Sequence, residues 1–367
     1  VRSTRAPADA AASARRRLVA LPVALLTLAL VACGSPSTSN RPGAGSGASS
    51  GPVTLRLGYY ANITHATPLV GVKNGTFDQV LGSNVTLKTS IFNAGPAEVE
   101  ALLSNSVDAA YIGPNPAINA FSRSHGQAVR IISGATSGGA CLVVKPGITS
   151  AADLKGKKLA TPQLGNTQDV ALRWWLKNHG LKTDTQGGGD VSILPQENAL
   201  TLQTFRSGQI DGAWVPEPWA TRLVQEGGGK VLVDERSEWK QTNGQFVTTE
   251  LMVRTDFLQQ HRDVVRKLLQ AQVETSDFID RQPLQAQQLA NQAIAEITGA
   301  RLSPTVVAAA WKNLTFTNDP IARSQQADTA RAVALGLLPK TDLGGIYDLS
   351  LLNAVLKQRG SPAVPAV

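Results

Sequence analysis

Apolar residues recur along this chain with two alternating periods, and the alternation predicts the architecture. Over 53–60, apolar Val53, Leu55 and Leu57 alternate with polar neighbours before the loop Tyr60-Ala61-Asn62-Ile63-Thr64, which reads as a strand and then a turn. A helix over 65–74, a strand over 85–89 and a helix over 97–103 follow. Pro96 stands at the start of the last, where a missing amide hydrogen does no harm. A strand over 107–112, a helix over 117–122 and a strand over 129–132 continue the rhythm.

The pattern restarts with a strand over 140–144. Strands over 158–161, 191–194, 210–215 and 230–233 then alternate with helices over 167–178, 199–206 and 218–226. Alternation of this kind implies an α/β fold class with parallel pairing and right-handed crossovers. From 246 to 254 an extended segment is expected to return to the first domain. Helices over 256–280, 284–298, 303–313, 321–337 and 349–357 are expected to pack on the outside of its sheet.

A repeat at an offset of 103 residues argues for two similar halves. Leu103-Ser104-Asn105-Ser106-Val107-Asp108-Ala109-Ala110-Tyr111-Ile112 matches Arg206-Ser207-Gly208-Gln209-Ile210-Asp211-Gly212-Ala213-Trp214-Val215. Both copies carry an aspartate and an aromatic in the same phase, followed by a proline-containing helix start, which implies equivalent topology.

The first fifty residues have a different character. Arg15, Arg16 and Arg17 precede an apolar run from Leu18 to Val31, too short to span a membrane that asks for roughly 20 residues. The run ends in Leu30-Val31-Ala32-Cys33, which resembles the lipobox of bacterial lipoprotein precursors, cut before the cysteine and acylated on it. Residues 1–32 are therefore expected to be a signal peptide, and 33–52 a lipidated Cys33 with a Gly/Ser-rich flexible tether. The remaining chain is too long for one ordinary core and suits two domains. Residues 53–137 and 246–360 are expected to form lobe 1, and 138–245 lobe 2.

The formal charge of +8 falls to about +4 once the arginine-rich leader is removed, and no basic tract follows that would mark a nucleic-acid face. With Cys33 acylated, Cys141 is the one cysteine left, expected as a small buried hydrophobe and not a nucleophile. The histidines, His65, His125, His179 and His261, stand in no metal-ligand spacing. No nucleophile elbow stands between an expected strand and helix, and no phosphate-binding loop is present. No catalytic residue, metal or cofactor is expected.

The chain resembles the solute-binding proteins of ATP-driven (ABC) importers for aliphatic sulfonates, taurine and nitrate, the sulfonate branch most. The resemblance is carried by Leu57-Gly58-Tyr59, by Phe92-Asn93-Ala94-Gly95-Pro96-Ala97-Glu98-Val99-Glu100-Ala101-Leu102 and by the stretch from Asp108 to Pro116. It continues in Asp153-Leu154-Lys155-Gly156-Lys157-Lys158-Leu159-Ala160, Gly165-Asn166-Thr167-Gln168-Asp169 and the stretch from Asp211 to Trp219. It implies a two-lobed type II periplasmic-binding-protein-like fold with two crossing hinge strands, near 134–140 and 244–248, and C-terminal helices. It also implies a small-molecule anion as solute and the transmembrane subunits of an ABC permease as partner. The protein is then an extracytoplasmic monomer, touching the membrane through its N-terminal lipid alone. Relatives often carry Gly-Ser and a nearby histidine at the second-lobe helix start, where this chain has Gly165-Asn166 and Asp169. Nitrate or another small anion, and an enzyme related to pyrimidine biosynthesis proteins, stay open as alternatives.

Helix beginnings supply unpaired amides and the positive end of the dipole, and open α/β sheets place ligands at the carboxyl ends of their strands. Candidate solute contacts are accordingly Tyr60 and Asn62 past the first strand, Asn93 and Asn115 at the first-lobe helix starts, and Gly165, Asn166, Thr167 and Gln168 in the second lobe. Trp214 is a candidate aromatic wall. Glu217 is expected to select an amino group or to bond across the lobes.

Overall fold

Leu55 and Leu57 turn inward from β1 (Val53–Tyr60), and both side chains are fully buried, so the alternation read in the sequence is the core face of a strand. The computed structural model describes residues 51–365. A 3-10 turn, Ile63–His65, leads into α1 (Ala66–Lys73) and α2 (Thr76–Leu81). Next come β2 (Val85–Phe92), α3 (Gly95–Leu103), β3 (Ala109–Ile112), α4 (Pro114–Arg123) and β4 (Val129–Gly138). The chain crosses into β5 (Ala140–Val144), then β6 (Lys158–Thr161), α5 (Thr167–Asn178), β7 (Ser192–Pro195) and α6 (Asn198–Arg206). β8 (Gly212–Pro216), α7 (Trp219–Gln225) and β9 (Lys230–Asp234) complete this part, and β10 (Val247–Arg254) returns.

The helices α8 (Thr255–Gln260), α9 (Arg262–Arg281), α10 (Pro283–Thr298) and α11 (Pro304–Trp311) precede a short β11 (Leu314–Phe316). α12 (Ala322–Ala334) and α13 (Ser350–Gln358) end the described chain. The single helix expected over 256–280 is two, because His261 leaves helical geometry at φ −131° and ψ 48°.

One sheet has the order β11-β4-β10-β3-β1-β2 and the other β7-β6-β8-β5-β9. The expectation of parallel pairing throughout is corrected. β1 is parallel to β2 and β3, and β6 to β7 and β8, but β10 and β5 run antiparallel to their neighbours. The cause is the double crossing. β5 and β10 each start where the chain arrives from the other sheet, so each runs against the strands that lead towards that crossing.

The repeat has a direct structural counterpart. Asp108 and Asp211 precede β3 and β8 in the same way: each carboxylate accepts from an amide of the neighbouring parallel strand, Arg56 of β1 at 2.9 Å and Lys158 of β6 at 2.8 Å. Each aspartate amide donates back to the same residue's carbonyl. Asp108 also receives Arg56 Nε at 2.8 Å and Arg254 Nη1 at 3.2 Å, which ties β1, β3 and β10 together.

Each sheet has its own core. Leu55, Leu57, Phe77, Tyr111, Leu251 and Leu268 meet under α1, α2, α9, α10 and α13. Leu142, Leu159, Trp175, Trp214, Trp239 and Phe246 form the second. The C-terminal helices do not all cover the first sheet, as the sequence reading expects: α11 packs on α7, and α12 packs on α4, α5 and β10. α12 therefore bridges the two halves.

That bridge is partly polar. Glu235 accepts from Trp214 Nε1 at 2.7 Å and Trp239 Nε1 at 3.4 Å, and Arg331 of α12 lies 3.8 Å over the Trp239 ring. Burial pushes the Glu235 carboxyl up to about 7 and that of Asp328, on α12, up to about 8, with Arg331 opposing the shift in both. An acid with a raised native pKa holds a proton that the unfolded chain has released above about pH 4. These two groups therefore favour the fold fully below pH 4, and their contribution declines as pH rises to about 8. Urea-unfolding midpoints are expected to fall between pH 5 and pH 8, with a shallower slope in Glu235→Gln. An identical slope in the variant would contradict this assignment.

Candidate functional site

The two halves are joined where β4 passes into β5 and where residues 244–247 lead into β10. Gly138 and Gly139 take φ of 82° and 76°, in the left-handed region that side chains disfavour. The two passages are stitched together. Phe246 N donates to Ser137 Oγ at 3.2 Å, and Thr248 Oγ1 donates to the Gly138 carbonyl at 2.5 Å.

Above this hinge the halves touch. Trp219 Nε1 donates to Asn62 Oδ1 at 2.9 Å, Asn93 Nδ2 to Glu197 Oε1 at 2.7 Å, and Asn313 Nδ2 to Glu217 Oε1 at 2.7 Å. Gly113, at the start of α4, faces Thr167, at the start of α5, so closely that a β-carbon at 113 would lie 2.5 Å from Thr167 Oγ1.

Between the halves lies a cavity of about 30 Å³, room for the centres of one or two waters. It is lined by Tyr60, Asn62, Asn93, Asn166, Thr167 and Gln168, together with Thr64, His65, Ala94, Gly95, Gly113, Pro116, Pro162, Asn198, Pro216 and Thr248. No lysine or arginine is among these residues. Positive potential comes instead from helix beginnings: residues at the starts of α1, α3, α4, α5 and α6 line this space, although Pro114 and Pro116 leave α4 without two of its first-turn amide hydrogens. Of these, α1, α3, α4 and α6 have no side-chain cap, whereas Asn166 Oδ1 caps α5 by accepting from Asp169 N at 3.0 Å. Uncapped amides that face a cavity are donors still in need of an acceptor.

Titratable groups around the cavity are neutral or paired. Burial, followed by the neighbouring Glu98 carboxyl, pushes the Tyr60 hydroxyl up, and this hydroxyl donates to Glu98 Oε2 at 2.8 Å. Burial likewise holds Glu98 well above the usual carboxylate range, against the opposing hydrogen bond from Tyr60. Burial lowers His65 to about 3. Its Nδ1 accepts from Tyr60 N at 3.4 Å, which leaves the proton of the neutral ring on Nε2. Asp169, near the start of α5, is compensated by Arg173 Nε at 2.9 Å.

The sequence-expected residues divide. Tyr60, Asn62, Asn93, Asn166, Thr167 and Gln168 share the cavity, while Asn115 and Gly165 line a neighbouring chamber of about 100 Å³. Trp214 is corrected: it is fully buried on β8, its indole bound to Glu235, because the strand's pleat turns it into the second core. Trp219, five residues on, is the indole that reaches across the cleft. Glu217 is also corrected as a selector of amino groups. Thr221 N and Oγ1 and Asn313 Nδ2 occupy its buried carboxylate, the last of these reaching it from the other half. Cys141 is buried on β5, and burial pushes its thiol well above the usual range.

Sequence reasoning missed Thr64, His65, Gly113, Asn198 and Thr248. The repeat carried a signal for one of them: Asn198 opens the helix after β7 as Gly95 opens the helix after β2.

A binding protein of Brucella abortus (strain 2308) is 26% identical over 236 residues, which are 64% of this chain and 69% of its own length. The taurine-binding periplasmic protein of Escherichia coli (strain K12) is 29% identical over 214 residues, 58% of this chain and 62% of that protein. Among solved structures, the alkanesulfonate-binding protein SsuA of Xanthomonas axonopodis pv. citri, bound to MOPS, aligns with a TM-score of 0.66 at 20% identity. It covers 80% of this chain and 96% of its own. The periplasmic nitrate-binding protein NrtA of Synechocystis PCC 6803 aligns with a TM-score of 0.68 at 17% identity, covering 85% of this chain and 90% of its own. At such identities the structural likeness establishes the fold, a two-lobed α/β fold of the periplasmic-binding-protein kind. The profile of one family spans residues 48–295, more than half of the sequence, and by that match the chain belongs to the NMT1-like family.

Proposed function

We propose that the protein is the extracytoplasmic solute-binding subunit of an ABC importer. It captures a small organic anion, an aliphatic sulfonate or taurine, and performs no chemistry on it. The observation that carries this reading is the ring of uncapped helix beginnings around an interlobe cavity whose lining has no fixed charge. Such a ring stabilises an oxyanion through amides and dipoles, and the acid–base pair beside it, Tyr60 and Glu98, is buried with the two groups bonded to each other. The similarity to taurine-, sulfonate- and nitrate-binding proteins supports the same class of solute.

The closed cavity is smaller than such a solute. The solute therefore enters an open arrangement, and its size sets how far the lobes then approach. Binding shifts the population towards the closed form. The partner is the permease of the importer. The leader and Cys33, which lie outside the described residues, support an acylated chain held at the outer face of the cell membrane.

Titration calorimetry of the protein with taurine, alkanesulfonates, nitrate and small carboxylates tests the reading. A sulfonate is expected to bind at about micromolar Kd, roughly 8 kcal/mol. At a hundredfold excess over Kd it raises stability by about 2.7 kcal/mol in a thermal melt. Neither heat nor thermal shift with any sulfonate would end the sulfonate assignment. Nitrate alone giving both would move the protein to inorganic anions, and turnover of a solute would make it an enzyme.

A further inference from the structure

Asn115 is the second residue of α4 and is only 4% exposed, yet neither its Oδ1 nor its Nδ2 has a hydrogen-bond partner. A buried carboxamide with both ends unmatched is costly, and native interiors rarely keep one. It lines the chamber of about 100 Å³ next to the central cavity, with Pro116, Asn119, Leu164, Gly165 and Leu338 among the other walls. Both lobes contribute to the chamber. It shares Pro116 with the central cavity, and the consecutive residues Gly165 and Asn166 line one space and the other.

Two features set the polarity of what this chamber accepts. Prolines at 114 and 116 remove two amide hydrogens from the first turn of α4, so this helix start is a poor anion site on the chamber side. The charged residues on the chamber wall, Arg123 and Glu100, are bonded to each other, so neither is free for a second charge on a ligand. What remains are two carboxamides, the buried Asn115 and the half-buried Asn119, each a donor and an acceptor side by side, beside Val99, Leu164, Val170 and Leu338.

We propose that this chamber is a second subsite. It takes a neutral donor-and-acceptor group, of the carboxamide or urea kind, carried on the solute whose anionic head occupies the central cavity. The inference rests on the functional reading above and narrows its solute class to sulfonates with a polar, uncharged distal group. Asn115 is the specificity-determining residue, since its Nδ2 donates to the oxygen of that group or its Oδ1 accepts from the N–H.

The test compares 2-acetamidoethanesulfonate with pentane-1-sulfonate, probes of equal chain length, by calorimetry on the full chain and on Asn115→Leu. The wild-type protein is expected to bind the acetamido probe about tenfold more tightly. Asn115→Leu is expected to abolish the preference by weakening that probe and sparing the alkyl one. Equal wild-type affinities would overturn the second subsite, with Asn115 then satisfied by water, and would leave the sulfonate reading standing. A preference that survives in Asn115→Leu would overturn it as well. If neither probe binds, both readings fall. The wild-type comparison is decisive even if the variant does not fold.

Discussion

Asp169→Ala is expected to cost roughly 3–5 kcal/mol of folding stability, the loss typical of removing one partner from a buried ion pair. Asp169 is fully buried and Arg173 is 2% exposed, so neither charge has water to fall back on. The Asp169 carboxylate also accepts from Thr161 Oγ1 at 2.9 Å and from Gly165 N at 3.0 Å, which pins the turn leading into α5. Truncation leaves a guanidinium uncompensated and frees the segment that carries Asn166, Thr167 and Gln168. Urea denaturation should show the loss as a lower midpoint at an unchanged slope. Asp169→Asn keeps the shape and part of the bonding, and should lose less. A wild-type midpoint in Asp169→Ala would show that Arg173 finds another partner.

Gly113→Ala is expected to leave the unliganded fold nearly as stable as the wild type while weakening solute binding about 10- to 100-fold, the equivalent of roughly 1–3 kcal/mol of overpacking. Gly113 sits at φ −78° and ψ 160°, a conformation open to any residue, so alanine brings no backbone strain. The obstruction arises only between lobes, where the new β-carbon would lie 2.5 Å from Thr167 Oγ1 and 3.6 Å from Thr167 Cβ. Removing that hydroxyl in Gly113→Ala/Thr167→Ala relieves the clash and should recover part of the affinity. Small-angle scattering should show compaction with solute in the wild type and the double variant, and little in the single one. Wild-type affinity in Gly113→Ala would mean that the lobes do not need this contact.

Much of the fold was legible because it rests on local periodicity. The bounds expected for the first strand, for 140–144, for 158–161 and for the helix over 167–178 are those observed. The Asp108 and Asp211 repeat located two matching strand starts because each aspartate makes the same bond to its neighbouring parallel strand. Legibility ended where a position depends on contacts distant in sequence. β11 has three residues, too few for a period, and exists through pairing with β4. Trp214 and Trp219 look alike in sequence, but one sits on a strand facing the core and the other opens a helix at the cleft. His65 read as the start of a helix. Its place in the cavity depends on the tilted contact with Tyr60, 4.1 Å between ring centroids, which no spacing announces.

The ring of helix beginnings is divided between two bodies: α1, α3 and α4 belong to one lobe, α5 and α6 to the other. An attractive field built this way is complete only while the halves are together. Prising them apart halves the number of amides on the guest, with no strong ion pair to break. On the proposed function, release at the membrane follows from separation of the lobes. Retention in solution is governed by the same geometry, so capture and delivery are one motion run in opposite directions.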